Sequence, residues 1–196
     1  MTTADSLHES YFNDVYKNRD DPWDFETSEY EMKKYQATVG ALTKDGYSNA
    51  FEIGCSIGVL SALLANRCSR LLSVDVSELP LEKARRRLQD HPQVTIKKMT
   101  VPEEFPQDRF DLVVMSEVGY YWSENDLRRA QQLITGHLEP KGQLLLVHWT
   151  PFVPDYPLTG DQVHDFFLQL TGEKGTYNHL AGKREEKYRL DLLEKK

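Results

Sequence analysis

The sequence predicts an α/β protein. It is read as a three-layer sandwich on a mostly parallel seven-stranded sheet, with a C-terminal antiparallel hairpin and a helical N-terminal lid. Three observations lead there. From residue 50 onward, short apolar runs alternate with helical patterns, as in successive βαβ units. Two of those runs, Phe110–Met115 and Gln143–His148, are largely apolar throughout, as befits central strands covered on both faces. Near the end, Tyr188, Leu190 and Leu192 alternate with Lys187, Arg189 and Asp191, the period-two pattern of a half-exposed antiparallel strand.

The elements follow in order. Residues 5–18 read as a helix with Leu7, Tyr11 and Val15 on one stripe, broken by Asp20–Phe25. Ser28 and Glu31 form a capping-box pattern, and Met32, Tyr35, Val39 and Leu42 give the next helix an apolar face. Residues 1–45 are thus a helical lid and 50–196 an α/β core, together one domain. Within the core, strands are expected at 50–54, 71–75, 94–99, 110–115 and 143–148. Helices are expected at 57–67, at 78–89 with Leu81, Ala84 and Leu88 inward, and from a Ser123/Asp126 cap to Leu138. Pro140-Lys141-Gly142 is expected to turn the chain. Gly160-Asp161 opens a helix carrying Val163, Phe166, Phe167 and Leu170 on one stripe, and a segment near 176–181 is the hairpin partner of the last strand.

Composition narrows the function. The net charge is −7, so a phosphate backbone is repelled and no nucleic-acid partner is expected. Two cysteines, Cys55 and Cys68, make no disulfide framework and suit a reducing, cytoplasmic setting. Residues 1–6 show neither a basic n-region nor an apolar h-region, and no apolar run nears the roughly 18 residues of a membrane span. The histidines lack metal-ligand spacing, so no metal is expected. Arg85-Arg86-Arg87 reads as a solvated helix face.

The densest signal is Phe51-Glu52-Ile53-Gly54-Cys55-Ser56-Ile57-Gly58 followed by Leu71–Asp75, a strand, glycine loop, helix and second strand ending in an acid. This is the ligand end of a Rossmann-like sheet, where an acidic residue about 20 positions past the loop accepts ribose hydroxyls. The dinucleotide pattern G-x-G-x-x-G is absent: Ser56 stands where a glycine makes room for a pyrophosphate, and Glu52 adds negative charge beside the loop. That favours a ligand with a cationic amine and no phosphate, such as S-adenosylmethionine (SAM).

With these pieces assembled, the chain resembles class I SAM-dependent methyltransferases and, more closely, the nodulation protein S (NodS) group. The resemblance rests on Asp21-Pro22-Trp23 with Tyr30-Glu31 and Lys34-Tyr35, on Glu52–Gly58, on Ser116-Glu117-Val118-Gly119-Tyr120-Tyr121, on His148-Trp149, and on Gly160-Asp161-Gln162-Val163-His164. It implies SAM-dependent methylation of the free amine of a de-N-acetylated chitooligosaccharide, a small-molecule substrate. Two departures from the broad methyltransferase pattern stand out: Ser56 for the middle glycine, and Thr100 where many relatives place an acid on the adenine amine. The alternatives are a SAM methyltransferase for another small-molecule amine, hydroxyl or carboxylate, an NAD-linked oxidoreductase, and an inactive SAM-binding partner. Tyr30-x-x-x-Lys34 argues weakly for the oxidoreductase, because it precedes the glycine loop.

Ligands of open α/β sheets bind beyond the carboxyl ends of the strands. Glu52, Gly54, Cys55 and Gly58 are accordingly expected at the methionine moiety, Asp75 at the ribose and Val76, Thr100 and Val101 around the adenine. Ser116 is expected on the sulfonium side, with Trp23 and Tyr30 closing over from the lid. The lesser alternative for Asp75 is a cap of helix 78–89. An acceptor amine must be neutral to attack, so a nearby carboxylate or imidazole is needed for its proton. Glu117 is the first candidate, with Tyr120 and His148 beside it; Glu117 also fits an exposed carboxylate or a partner of SAM's amino group. Tyr121, Trp149, Asp161 and His164 are expected to contact the sugar, although Asp161 is also a helix N-cap candidate.

Overall fold

The computed structural model describes residues 5–196, which fall into two compact units, one of residues 8–100 and one of residues 5–7 with 101–196. Seven strands belong to one mixed sheet, mostly parallel, with an antiparallel C-terminal hairpin. Among the described residues, no helix is long and apolar enough to cross a membrane.

The first unit runs α1 (Glu9–Asn18), α2 (Glu29–Gly40), β1 (Ala50–Ile53), α3 (Val59–Ala65), β2 (Leu71–Asp75), α4 (Glu78–Arg87) and β3 (Val94–Lys98). Its strands are parallel with β2 in the middle, Ala50 opposite Leu71 and Leu71 opposite Val94. β1 is buried along its whole length, whereas β3 is half-exposed. Ser28 caps α2 by accepting the Glu31 N–H, as the sequence pattern predicts.

Both N-terminal helices differ in detail from expectation. α1 begins at Glu9 because the preceding residues are held extended: Leu7 N–H donates to the Tyr121 carbonyl at 2.8 Å, and Ser6 Oγ accepts the Ser123 N–H. The buried face of α1 is Phe12 and Tyr16, one step round from Tyr11 and Val15. α2 buries Glu31, Lys34, Tyr35 and Thr38, leaving Met32 exposed. Hydrophobic spacing misplaced this stripe because two of its buried positions are charged. Lys34 Nζ donates to Glu31 Oε1 at 3.0 Å, and the Lys34 ammonium lies 5.5 Å from the Tyr30 ring centroid.

The second unit runs β4 (Phe110–Ser116), a single 3-10 turn (Gly119–Tyr121), α5 (Glu124–His137), β5 (Leu138–Trp149), α6 (Gly160–Leu168), β6 (Tyr177–Arg184) and β7 (Tyr188–Lys195). β4 and β5 are parallel, and β7 runs antiparallel to both β5 and β6. The expected turn at Pro140-Lys141-Gly142 lies inside β5. Lys141 takes φ +62° there, and the β4–β5 register shifts between Phe110 and Leu112, so the chain bulges without leaving the sheet. Ser123 caps α5 by accepting the Asp126 N–H, and Thr159 with Gln162 completes a full capping box on α6.

Candidate active site

In the first unit the loop after β1 is shaped by positive φ at alternate positions: Gly54 at +80°, Ser56 at +48° and Gly58 at +78°. Glycine adopts this region freely, and a Cβ on Gly58 would in addition stand 3.0 Å from the Ala84 Cβ of α4. Ser56 has no such freedom and is held on two sides. Its N–H donates to Asp75 Oδ2 at 2.9 Å, and its hydroxyl meets the Tyr16 hydroxyl at 2.5 Å. Asp75 Oδ1 accepts the Ser77 N–H at 3.0 Å, so this one carboxylate shapes both the glycine loop and the start of α4.

Glu52 lies at the centre of this cluster and is 1% exposed. Its Oε2 accepts both the Ser61 and Ser73 hydroxyls, at 2.5 and 2.6 Å, while Oε1 has no hydrogen-bond partner among the described residues. Burial is the main cause that pushes the Glu52 carboxyl up to about 7, against the two hydroxyls, and burial likewise lifts Asp75 to about 6. Cys55 is buried beside both acids, and burial first, then those charges, keep its thiol well above its ordinary range.

Four further residues expected at the cofactor, Trp23, Tyr30, Val76 and Thr100, belong to the same unit. Trp23 is half-buried, edge-on to Tyr16 and stacked on Phe25, while Asp21 accepts the Phe25 and Glu26 amides to fold the Asp-Pro-Trp segment. Tyr30 is half-buried in the first turn of α2, Val76 follows β2, and Thr100 is half-buried beyond β3. In the basic run, Arg87 departs from a purely solvated face: its Nε donates to the Ile57 carbonyl at 2.9 Å, bracing the loop from α4.

The second unit carries the residues expected at the acceptor, together with Val101 and Ser116 of those expected at the cofactor. Val101 and Ser116 are buried, Ser116 as the last residue of β4. Glu117 follows at φ +59°, a conformation that L side chains rarely take. Its Oε2 accepts the Tyr120 hydroxyl at 2.5 Å and the Trp149 N–H at 2.9 Å, so β5 and the 3-10 turn aim one carboxylate together. Tyr120 stacks on Tyr156 at 5.1 Å, and Tyr121 is edge-on to both rings.

His148 and His164 are both fully buried. His148 Nε2 accepts the Gly119 N–H at 3.1 Å and its Nδ1 lies 3.0 Å from His164 Nε2, so both ring nitrogens are engaged. His164 Nδ1 lies 2.6 Å from Asp191 Oδ2. Burial is the leading cause that holds the His164 pKa below its ordinary value, against the pull of Asp191. Asp161 bonds Arg184 through both oxygens and also reaches Arg189, whose Nε bonds Asp191. These arginines, Arg184 first, hold the Asp161 carboxyl below its usual range.

Four residues of these clusters carry little sequence signal. Tyr16 and Ser73 sit in ordinary helix and strand patterns, Tyr156 lies in a Pro-rich loop, and Asp191 is an outward-looking position in an alternating strand. For Ser61 the i, i+9 spacing from Glu52 across a strand–helix turn was a usable hint.

A family model described as Nodulation protein S (NodS) matches residues 7–149. The chain belongs to the NodS family. NodS of Rhizobium tropici is 30% identical over 128 residues, 64% of this chain and 54% of that protein. The chain spans about half the length of the curated NodS relatives it matches. A Pseudomonas syringae protein solved as a candidate methyltransferase is 34% identical, with a TM-score of 0.75 over 86% of this chain and all, 100%, of its own. The N-methyltransferase NodS of Bradyrhizobium japonicum WM9, solved with S-adenosyl-L-homocysteine (SAH), is 19% identical. Its TM-score is 0.81 over 95% of this chain and 97% of that one, so the two share a fold.

Proposed function

We propose that this NodS-family protein is a SAM-dependent N-methyltransferase, its two units acting as one catalytic domain. We further propose that its acceptor is the free amine of a de-N-acetylated glucosamine in a chitooligosaccharide. The observation that carries the cofactor half is the Glu52 carboxylate, buried beside a glycine loop with one oxygen unpartnered among the described residues. An anionic group in that position fits a ligand with a cationic amine and opposes a diphosphate. Asp75 keeps acceptor capacity for ribose hydroxyls beyond the Ser56 and Ser77 amides, since an ionised carboxylate offers about four lone-pair sites. Gly54, Cys55 and Gly58 form the loop at the methionine moiety, Val76, Thr100 and Val101 border the adenine, Ser116 lies toward the sulfur, and Trp23 and Tyr30 cover the cofactor.

When bound, SAM supplies a methyl group already activated on a sulfonium, so the protein has chiefly to position the amine and handle one proton. A sugar amine titrates near neutrality, as α-amino groups do at about 7.7–8. Glu117 accepts its proton, held by Tyr120 and the Trp149 amide in one orientation. Tyr120, Tyr121 and Trp149 present rings and a hydroxyl to the sugar, with Asp161 and His164 supporting this face through Arg189 and Asp191. His148 orients the turn. The B. japonicum relative described as an N-methyltransferase supports the choice of nitrogen.

Incubation with radiolabelled SAM and chitooligosaccharide, with and without prior N-deacetylation, tests this. Label is expected only in the deacetylated sugar. Equal labelling of both would transfer the assignment to a hydroxyl acceptor, and absence of SAH binding by calorimetry would remove the methyltransferase reading altogether.

A further inference from the structure

The two buried histidines form a chain with only one consistent proton arrangement. The Gly119 N–H can only donate, so His148 Nε2 bears a lone pair and the neutral ring carries its proton on Nδ1. That proton points at His164 Nε2, which must accept it, leaving the His164 proton on Nδ1, aimed at Asp191 Oδ2. Asp191 is in turn fixed by Arg189 Nε at 2.8 Å and His179 Nε2 at 2.7 Å. Two glycines make the chain sterically feasible. A Cβ on Gly182 would stand 2.9 Å from Asp191 Oδ1, and one on Gly119 would stand 2.6 Å from Val163 Cγ1 of α6.

We infer that His164 and Asp191 are positioning residues for the acceptor turn: they lock His148 in the Nδ1–H tautomer, whose bare Nε2 anchors Gly119 and with it the Tyr120–Glu117 pair. This rests on the acceptor assignment above. The physical consequence is a relay of tautomers. If Asp191 no longer accepts from His164, the His164 proton is no longer bound to Nδ1. Once it moves to Nε2 it opposes the His148 Nδ1–H, and His148 can relieve that opposition only by protonating the nitrogen that Gly119 needs. Asp191→Asn behaves differently. Arg189 demands an oxygen at the Oδ2 position, so the amide nitrogen turns to His179, which is partly exposed and accepts by changing its own tautomer.

The test is a long-range 15N–1H spectrum of the imidazoles in the whole protein, together with steady-state kinetics. In the unaltered protein both His148 and His164 are expected as Nδ1–H tautomers. Asp191→Ala is expected to alter both and to lower kcat/KM for the amino sugar by about 10- to 100-fold, the scale of a misplaced reacting group. SAH affinity stays unchanged, and Asp191→Asn keeps the native spectrum and most of the activity. An Nε2–H signal for His148 in the unaltered protein overturns the inference even if no variant folds. Equal losses in Asp191→Asn and Asp191→Ala overturn it as well. Native tautomers in a protein that methylates no amine would remove the function proposed above while leaving the relay intact.

Discussion

Asp75 Oδ2 accepts the Ser56 N–H at 2.9 Å, so the acid at the end of β2 fixes the loop that follows β1. The same carboxylate caps the Ser77 amide. Asp75→Ala is therefore expected to do two things at once. SAH binding weakens at least tenfold through lost ribose contacts, and stability falls by about 1–3 kcal/mol because two amides lose their acceptor. Calorimetry and urea denaturation measure the two losses separately. An unchanged dissociation constant would confine Asp75 to the structural part.

Acid strength in this cluster predicts a pH dependence. Burial raises Glu52 from 4.5 to about 7 and Asp75 from 3.8 to about 6. The unfolded chain gives up these protons earlier than the folded one does. Their contribution to stability is thus full below about pH 4 and is lost as pH rises through 6 and 7, at most about 3 kcal/mol per group. A cationic ligand favours the ionised forms, so binding releases protons. SAH affinity is expected to rise between about pH 5.5 and 7.5, with binding heats that depend on the buffer's ionisation enthalpy. Identical heats in phosphate and bis-Tris near pH 6.5 would contradict it.

Glu117→Gln keeps one oxygen that can accept both the Tyr120 hydroxyl and the Trp149 amide but cannot take a proton. Turnover is expected to fall by about 100-fold or more, while SAH affinity shifts by less than about twofold. Tyr120→Phe, which frees Glu117 to rotate, is expected to cost less. Parallel losses of turnover and SAH affinity in Glu117→Gln would place this carboxylate on the cofactor.

Gly58 combines φ +78° with close approach to Ala84. Gly58→Ala is expected to cost about 2 kcal/mol, since the left-handed region penalises a Cβ and the helix backbone behind Ala84 yields little. A shift of the urea midpoint with unchanged slope is the readout; no shift would mean that α4 moves aside.

The sheet was legible because strand signals are local. Apolar runs marked the central strands, one alternating segment marked β7 and the hairpin it implies marked β6, while Ser28, Ser123 and the Gly160 region marked helix starts through capping chemistry that lies within a few residues. What escaped is non-local. The α1 start depends on Ser6 meeting residues near 123, the α2 face on a buried ion pair that hydrophobic counting treats as solvent-facing, and the β5 bulge on the register with β4. The site shows the same division. Glu52, Asp75 and Glu117 stand out as acids at strand ends. The Gly119–His148–His164–Asp191 chain spans 72 positions of sequence, and no spacing rule connects its members.

Cys55 and Cys68 are the chain's two thiols, and both are shielded from solvent. Alkylating reagents attack the thiolate, and burial, then the charges of Glu52 and Asp75, suppress that species at Cys55. Covalent labelling at Cys55 therefore serves as a built-in clock for how often the glycine loop breathes, with Cys68 as the internal reference for wider opening.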